Sequence, residues 1–341
     1  MNNKSIKKSS SNVTYKEAVF SEEWKKHRGD DYRKYRERWV SYPEKRYVSD
    51  FPMHLDIETT SKCNLKCPMC PLTILDDELL DQDESMFMSR EDYINIIDQG
   101  VSNGVSSLKL QYLGEPMLHK DLSWQIAYAK ENGVVDIMFN TNATALTKEN
   151  GKKILEAGID NVFVSIDAIS PDLYEEKRVG TSLGKVIDNV YTFVKLRNEG
   201  YPHVQIRISM VMYDDPVWKE QYEGLKIMWK RLVDNIGYGD FNQKEEKPDS
   251  GNVDGFVCEQ LFQRMFLRLD GTVTVCCVDS DSEYVVGNWK EEGLKEIWNG
   301  DRYQHIRNMH VSNQYGKIDM CRKCWLPEIW QEETDQLNSN D

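Results

Sequence analysis

What this chain lacks narrows its function first. Basic residues are the minority: 43 Lys and Arg stand against 57 Asp and Glu, a net charge of -14 over 341 residues. Such a surface repels phosphate backbones and anionic lipid, so neither nucleic acid nor a membrane is an expected partner. No apolar run reaches the length needed to span a bilayer, and the opening MNNKSIKKSSSN is basic and polar with no apolar segment behind it. A cleavable signal is therefore not expected, and a cytoplasmic location is. Internal repeats are absent, and only the N-terminal Lys/Ser stretch is of low complexity, which excludes a solenoid. With 40% hydrophobic residues the chain is long enough to bury a sizeable core. Eight cysteines remain to be explained. In a long cytosolic chain, grouped cysteines point to metal or redox chemistry rather than to disulfides.

The order of elements divides the chain into a charged tail and helical extension over 1–50, a core over 51–242, a polar linker over 243–255, a small cysteine-containing unit over 256–330 and a polar tail over 331–341. Within the extension, Tyr32, Tyr35 and Trp39 recur at helical spacing, which suits docking on the core or reception of a partner. From residue 54 onward, strand-like runs alternate with longer helix-like ones, the pattern of β-α units around a parallel sheet. The strands expected are 54–60, 107–113, 136–141, 161–167, 203–211 and 235–241. Ser89 with Asp92 three residues on marks a helix start, and further helices are expected over 121–132, 147–157 and 183–199. Six such units are too few for a closed eight-fold barrel. An open barrel or a doubly wound sheet is expected, with its chemistry at the C-terminal strand ends. In the small unit, FLRLDGTVTVCC reads as a hairpin turning at Asp270-Gly271.

Cys63, Cys67 and Cys70 form a C-x3-C-x2-C triad just after the first of these strands. Three thiolates leave one iron of a cubane open, which a cluster needs if it is to bind a small molecule as well as pass electrons. The alternative is a zinc site short of one ligand; no histidine lies close by, and His54 upstream suits packing better than ligation. Cys258, Cys276, Cys321 and Cys324 form a complete second set, which satisfies a fully ligated cluster or a structural zinc equally well. Cys277 is left over. Adjacent strand positions point to opposite faces, so Cys276 and Cys277 do not readily serve one cluster. On local grounds Cys277 reads as a small buried residue. Arg207, inside an apolar strand, is costly to bury unless paired, which marks it as a site candidate facing the barrel interior. The acidic stretch 71–88 directly after the triad suits either a solvated loop or a cover over the barrel mouth.

The triad after the first strand resembles the signature of radical S-adenosylmethionine (SAM) enzymes, and several further motifs follow in the same order over roughly residues 50–330. The resemblance implies an α/β fold: a partial (β/α)6 radical SAM barrel followed by a small α+β SPASM/twitch auxiliary-cluster domain. It implies a [4Fe-4S] cluster with SAM at the open iron. The SAM contacts it implies are Gly114 and Glu115, in a motif where Leu113 replaces the family's first glycine; Asn140 in the Asn140-Thr141-Asn142 turn; Ser165 in Ser165-Ile166-Asp167; and Arg178 opposite the SAM carboxylate. Met69 stands where many relatives carry an aromatic beside the adenine. The C-terminal cysteines resemble the shortened, single-cluster form of the SPASM domain, which implies one auxiliary [4Fe-4S] cluster. Its spacing is similar to that of a radical SAM dehydrogenase acting on an aminocyclitol. The implied activity is hydrogen abstraction from a small hydroxylated substrate (a sugar, aminocyclitol or nucleotide sugar) ending in two-electron oxidation. Its partner would be a low-potential donor such as flavodoxin or ferredoxin. Two other enzyme outcomes remain open, maturation of a peptide substrate and radical epimerisation through Cys277. A non-catalytic iron-sulfur redox sensor is the alternative from another class.

Overall fold

The computed structural model describes residues 15–75, 86–241 and 252–338. Among them the sequence builds β1 (Tyr15–Val19), α1 (Asp30–Glu44), β2 (His54–Ile57), α2 (Pro71–Leu75), α3 (Arg90–Ser102), β3 (Ser107–Lys109), α4 (Leu122–Glu131), β4 (Asp136–Thr141), α5 (Lys148–Glu156), β5 (Asn161–Ser165), α6 (Pro171–Lys177), α7 (Leu183–Gly200), β6 (Gln205–Met212), α8 (Pro216–Trp229) and β7 (Asn235–Asp240). Strands β2 to β7 lie side by side in chain order and are all parallel. A doubly wound sheet would reverse its strand order part-way, so the sequential order selects the open-barrel alternative. The helix starts follow local chemistry: Ser89 Oγ accepts from the Asp92 amide at 3.0 Å, and the Thr147 and Ser182 side chains cap α5 and α7 in the same way. Helices α6 and α8, which the sequence reading left out, both open with proline in the first turn.

The C-terminal unit adds β8 (Arg264–Leu267), β9 (Thr272–Thr274), β10 (Val285–Asn288), α9 (Leu294–Asn299), α10 (Asp301–Val311), α11 (Asp319–Arg322) and α12 (Leu326–Asn338). The expected hairpin is present as the antiparallel β8–β9 pair, with Gly271 at φ +107° in its turn. Its position was not legible. β8 pairs in parallel with β2, so the second unit continues the barrel sheet from the strand that leads into the cysteine triad. One apolar core runs through both units.

Two terminal expectations need correction. The extension is not helical throughout, because β1 pairs antiparallel with β7 and covers what would otherwise be the barrel's free edge. Helix α12 continues past residue 330 to Asn338, into the segment expected to be a polar tail; Trp330 on it packs against Phe256 at a ring separation of 6.1 Å. The linker expected over 243–255 and the acidic stretch over 71–88 fall largely outside the described residues.

Helix α1 docks. Tyr32, Tyr35 and Trp39 are buried, and a chain of edge-to-face contacts runs from Trp24 through all three to His54 on β2. Arg28, just before α1, enters the N-terminal ends of β4 and β5, 2.9 Å from Asp136 and 3.1 Å from Asp160, and donates to the Asp160 carbonyl at 2.7 Å. A buried guanidinium between two buried carboxylates with its donors used is the arrangement that makes such burial tolerable. The extension thereby forms the floor of the barrel.

Candidate functional site

The loop after β2 carries Cys63, Cys67 and Cys70, which lie within electrostatic reach of one another. Three strand ends converge on it. From β3 comes Gly114, where a Cβ would stand 2.2 Å from the Thr60 carbonyl oxygen and 2.9 Å from that of Lys62, so only glycine permits this approach. The Glu115 amide then donates to the Lys62 carbonyl at 2.8 Å, locking the strand end to the cysteine loop. The buried Glu115 carboxylate accepts from Thr141 Oγ1 at 2.7 Å, the Asn142 amide at 2.6 Å and the Met117 amide at 3.0 Å. Burial pushes its pKa up to about 7 despite these donors. A carboxylate held in this state is poised for a cation, as the ammonium of SAM would be.

From β4, Asn142 Nδ2 reaches Asn64 Oδ1 at 3.0 Å and Cys63 Sγ at 3.9 Å. Asn140 of the same turn lies elsewhere: it lines the barrel cavity, while Thr141 and Asn142 meet Glu115 and the triad loop. From the loop after α6, Arg178 donates through Nε to Asp167 Oδ2 at 2.6 Å and approaches Cys67 Sγ at 3.9 Å. Burial alone would lower its pKa, but Asp167 and the Cys67 sulfur hold the guanidinium charged. Asp167, fully buried, also accepts from the Val211 amide at 2.9 Å. Its neighbour Ser165 ends β5 opposite Ser209 of β6. Sequence reasoning assigned no role to Asp167 or Asn142; their signal was the strand-end motif itself, whose polar positions it read one at a time.

The fit of a cluster to the triad can be judged from the thiols. Burial pushes Cys63 up to about 11, so in the metal-free chain it keeps its proton at neutral pH. Iron would displace that proton, and the Asn142 amide and Arg178 guanidinium stand where they would hydrogen-bond the resulting thiolates.

The second cysteine set encloses a small cavity. Cys258, Cys276, Cys321 and Cys324 line it together with apolar walls that include Phe256, Leu261, Val275, Ile306 and Leu326. Burial pushes Cys258 up to about 12. Among the described residues no three Cys, His, Asp or Glu side chains form a group suited to a single metal ion. A cubane takes its thiolates from corners set further apart than the ligands of one ion, and the apolar walls would shield it from water. Cys277 is not part of this cavity wall. It is exposed, not the buried residue expected, accepts from Gln260 Nε2 at 3.5 Å, and interacts electrostatically with Arg264 and Asp56. Interaction with the neighbouring Cys276 thiol holds the Cys277 thiol below its ordinary range.

Between floor and strands lies a cavity of about 880 Å³. Alternate residues of the strands face it, among them Met138 and Asn140 on β4, Phe163 on β5, and Arg207 on β6; Tyr35 and Trp39 of α1 close it from below. Arg207 is buried under the Phe163 ring at 3.8 Å and donates from Nε to Ser209 Oγ at 3.2 Å. Its strand faces the lumen there, as the charge in an apolar run suggested.

A family model described as "Radical SAM superfamily" matches residues 57–215, and one for SPASM, an iron-sulfur cluster-binding domain, matches residues 258–325. A probable GTP 3′,8-cyclase of Methanococcus maripaludis is 32% identical over 130 residues, 38% of this chain and 41% of that protein. A tungsten-containing aldehyde ferredoxin oxidoreductase cofactor-modifying protein of Pyrococcus furiosus is 31% identical over 189 residues, 54% of this chain and 49% of that one. The chain thus spans under half the length of these curated relatives. Among solved structures, BtrN in complex with AdoMet and 2-DOIA is 18% identical with a TM-score of 0.52, covering 82% of this chain and 94% of BtrN. Streptococcus suis SuiB bound to precursor peptide SuiA is 16% identical with a TM-score of 0.56, covering 83% of this chain and 74% of SuiB. At such identities the likeness establishes the fold.

Proposed function

Since the chain belongs to the radical SAM superfamily and carries a SPASM iron-sulfur domain behind its open barrel, we propose that it oxidises a small hydroxylated substrate held in the barrel cavity. Its cofactors are SAM, a [4Fe-4S] cluster in the radical SAM domain and iron-sulfur in the SPASM domain. When bound, they supply reductive cleavage of SAM and an acceptor for the second electron. The chain's own residues do the rest: Cys63, Cys67 and Cys70 hold the first cluster, Glu115 and Arg178 hold the two charged ends of the SAM amino acid, and Gly114, Thr141 and Asn142 fix Glu115. Cys258, Cys276, Cys321 and Cys324 hold the second cluster.

The observation that carries this reading is the shared sheet. β2 leads to the triad, its neighbour β8 leads through β9 to Cys276, and the cavity opens between the same strands. Tyr112, after β3, ties the two regions further by donating to the Cys276 carbonyl at 3.2 Å. A substrate in the cavity would sit inside the barrel whose strands lead toward both cysteine sets, which supports a two-electron oxidation. The packing of the described part of the N-terminal extension across the barrel floor supports a small molecule over a peptide.

The test is incubation of anaerobically reconstituted, reduced protein with SAM and a panel of sugars, UDP-glucose and 2-deoxy-scyllo-inosamine. Formation of 5′-deoxyadenosine with transfer of deuterium from a labelled carbinol carbon, and a ketone or aldehyde product, is expected. Absence of 5′-deoxyadenosine would leave an iron-sulfur redox sensor, and deuterium transfer only from a precursor peptide would make the protein a maturase.

A further inference from the structure

Charge is not spread evenly around the barrel cavity. On the strand side, Lys109 of β3, Arg207 of β6 and Arg264 of β8 line the wall. Lys109 lies within electrostatic reach of both arginines. The carboxylate shared by Lys109 and Arg264, Asp56 on β2, is buried, 3.5 Å from Arg264, 3.9 Å from Lys109 and 3.2 Å from His54 Nε2. The strand registers impose this: Lys109 is the Cα partner of Asp56, and Arg264 that of His54. The other carboxylates nearby are engaged elsewhere, Asp136 with Arg28 at 2.9 Å and Glu58 with Arg268 at 2.9 Å. Two of these cations, Lys109 and Arg264, thus share one buried acid, and Arg207 stands within electrostatic reach of Lys109. Burial lowers the Lys109 pKa, the cost expected of a lysine held out of water among like charges. The extension adds both signs to the same cavity, Glu17, Glu22 and Glu37 beside Lys25, Arg33 and Arg36.

We propose that this wall receives an anionic group, a phosphate or a carboxylate, carried by the hydroxylated substrate. The inference deepens the proposed oxidation and rests on its placing of the substrate in the cavity. It narrows the substrate to sugar phosphates, nucleotide sugars or sugar acids and disfavours an aminocyclitol, whose ammonium the same wall repels. Guanidinium groups present planar forks that match phosphate and carboxylate oxygens, and a lysine adds a compact charge. Inside a cavity these attractions are screened less than at the surface, and in a chain of net charge -14 they supply a local site for an anion that the remaining surface repels.

The experiment is calorimetric binding to full-length, anaerobically reconstituted protein saturated with SAM, so that the cofactor site is filled. The probes are inorganic pyrophosphate, UDP-glucose, glucuronate, glucose and 2-deoxy-scyllo-inosamine. At least one anionic class is expected to bind tenfold or more tightly than glucose and the amine. Binding of pyrophosphate and UDP-glucose assigns phosphate, and binding of glucuronate assigns carboxylate. Lys109→Met and Arg207→Gln, checked for iron content and melting temperature, are each expected to weaken the anion tenfold or more; if one fails to fold, the other carries the test. An anion affinity that neither variant changes, or no anion binding by the wild type, overturns the proposal. Oxidation of glucose or of the amine without anion preference overturns the wall alone. Anion binding without SAM-dependent oxidation removes the proposed activity and leaves the wall standing.

Discussion

The two cysteine sites use the same donor atom in opposite surroundings. Around the triad the neighbours are polar and charged: Asn142 and Arg178 point at sulfur, and Glu115 and Asp167 stand behind. Around the second set the walls are mainly apolar, with Phe256, Leu261, Val275, Ile306 and Leu326 against the cavity. Cluster potential depends on net charge, hydrogen bonds to sulfur and exposure to water, so the difference assigns different work. On the proposed reading, the first site meets a charged cofactor and the second keeps a fully ligated cluster dry. Thiol count agrees, three against four.

The largest effect that sharpens this contrast is loss of one site without the other. Replacing Cys63, Cys67 and Cys70 together by Ala should drop iron from about eight to about four per chain and abolish 5′-deoxyadenosine formation. Replacing Cys258 and Cys324 by Ala should remove a similar amount of iron while SAM cleavage continues and substrate oxidation stops. Zinc retained in the triple variant would break the comparison, since the second site would then be structural. Next in size is the apolar wall. Phe256→Ala should lower stability by about 3–5 kcal/mol and speed loss of the second cluster in air, with the first cluster's spectrum unchanged.

Glu115 tests the polar side. Its carboxyl is raised from 4.5 to about 7 by burial, so in the cofactor-free protein the folded state holds a proton that the unfolded chain has released across that window. Stability should therefore fall as pH rises from about 4.5 to about 7, by on the order of 3 kcal/mol. In Glu115→Gln the slope should disappear, and SAM should bind at least tenfold more weakly. A denaturation series against pH on the cofactor-free forms measures the first effect, and equilibrium binding the second. The smallest change is expected at Cys277, which belongs to neither cluster cavity. Cys277→Ala should oxidise substrate at the wild-type rate; a variant that loses turnover, or that stops a wild-type epimerisation, would make this thiol a hydrogen-atom donor.

Much of the scaffold could be read from residue order. The alternation of short apolar strands with amphipathic helices located all six barrel strands, and the Ser89–Asp92 pair located a helix start to the residue. The parts that escaped share a cause, since they depend on partners far away in the chain. β1 is a strand because β7 has a free edge, and the extension's aromatics pack because His54 and the floor lie beneath them. Lys109 and Asp56 carry the same signal that exposed Arg207, a charge within an apolar strand, and went unread. Asn142 and Asp167 could be placed at strand ends, but their targets, the Glu115 carboxylate and the Arg178 guanidinium, could not be placed against them.

Residue type and local spacing alone set the number of thiols at each site and the periodicity of the barrel, because ligand count and backbone period are properties of short segments. Which side chains share a cavity was decided by sheet pairing. The parallel join of β8 to β2 brings two cysteine sets separated by nearly two hundred residues to one sheet and sets Lys109 and Arg264 against one carboxylate. No local pattern encodes that register, since the hydrogen bonds that fix it are main-chain bonds common to every residue.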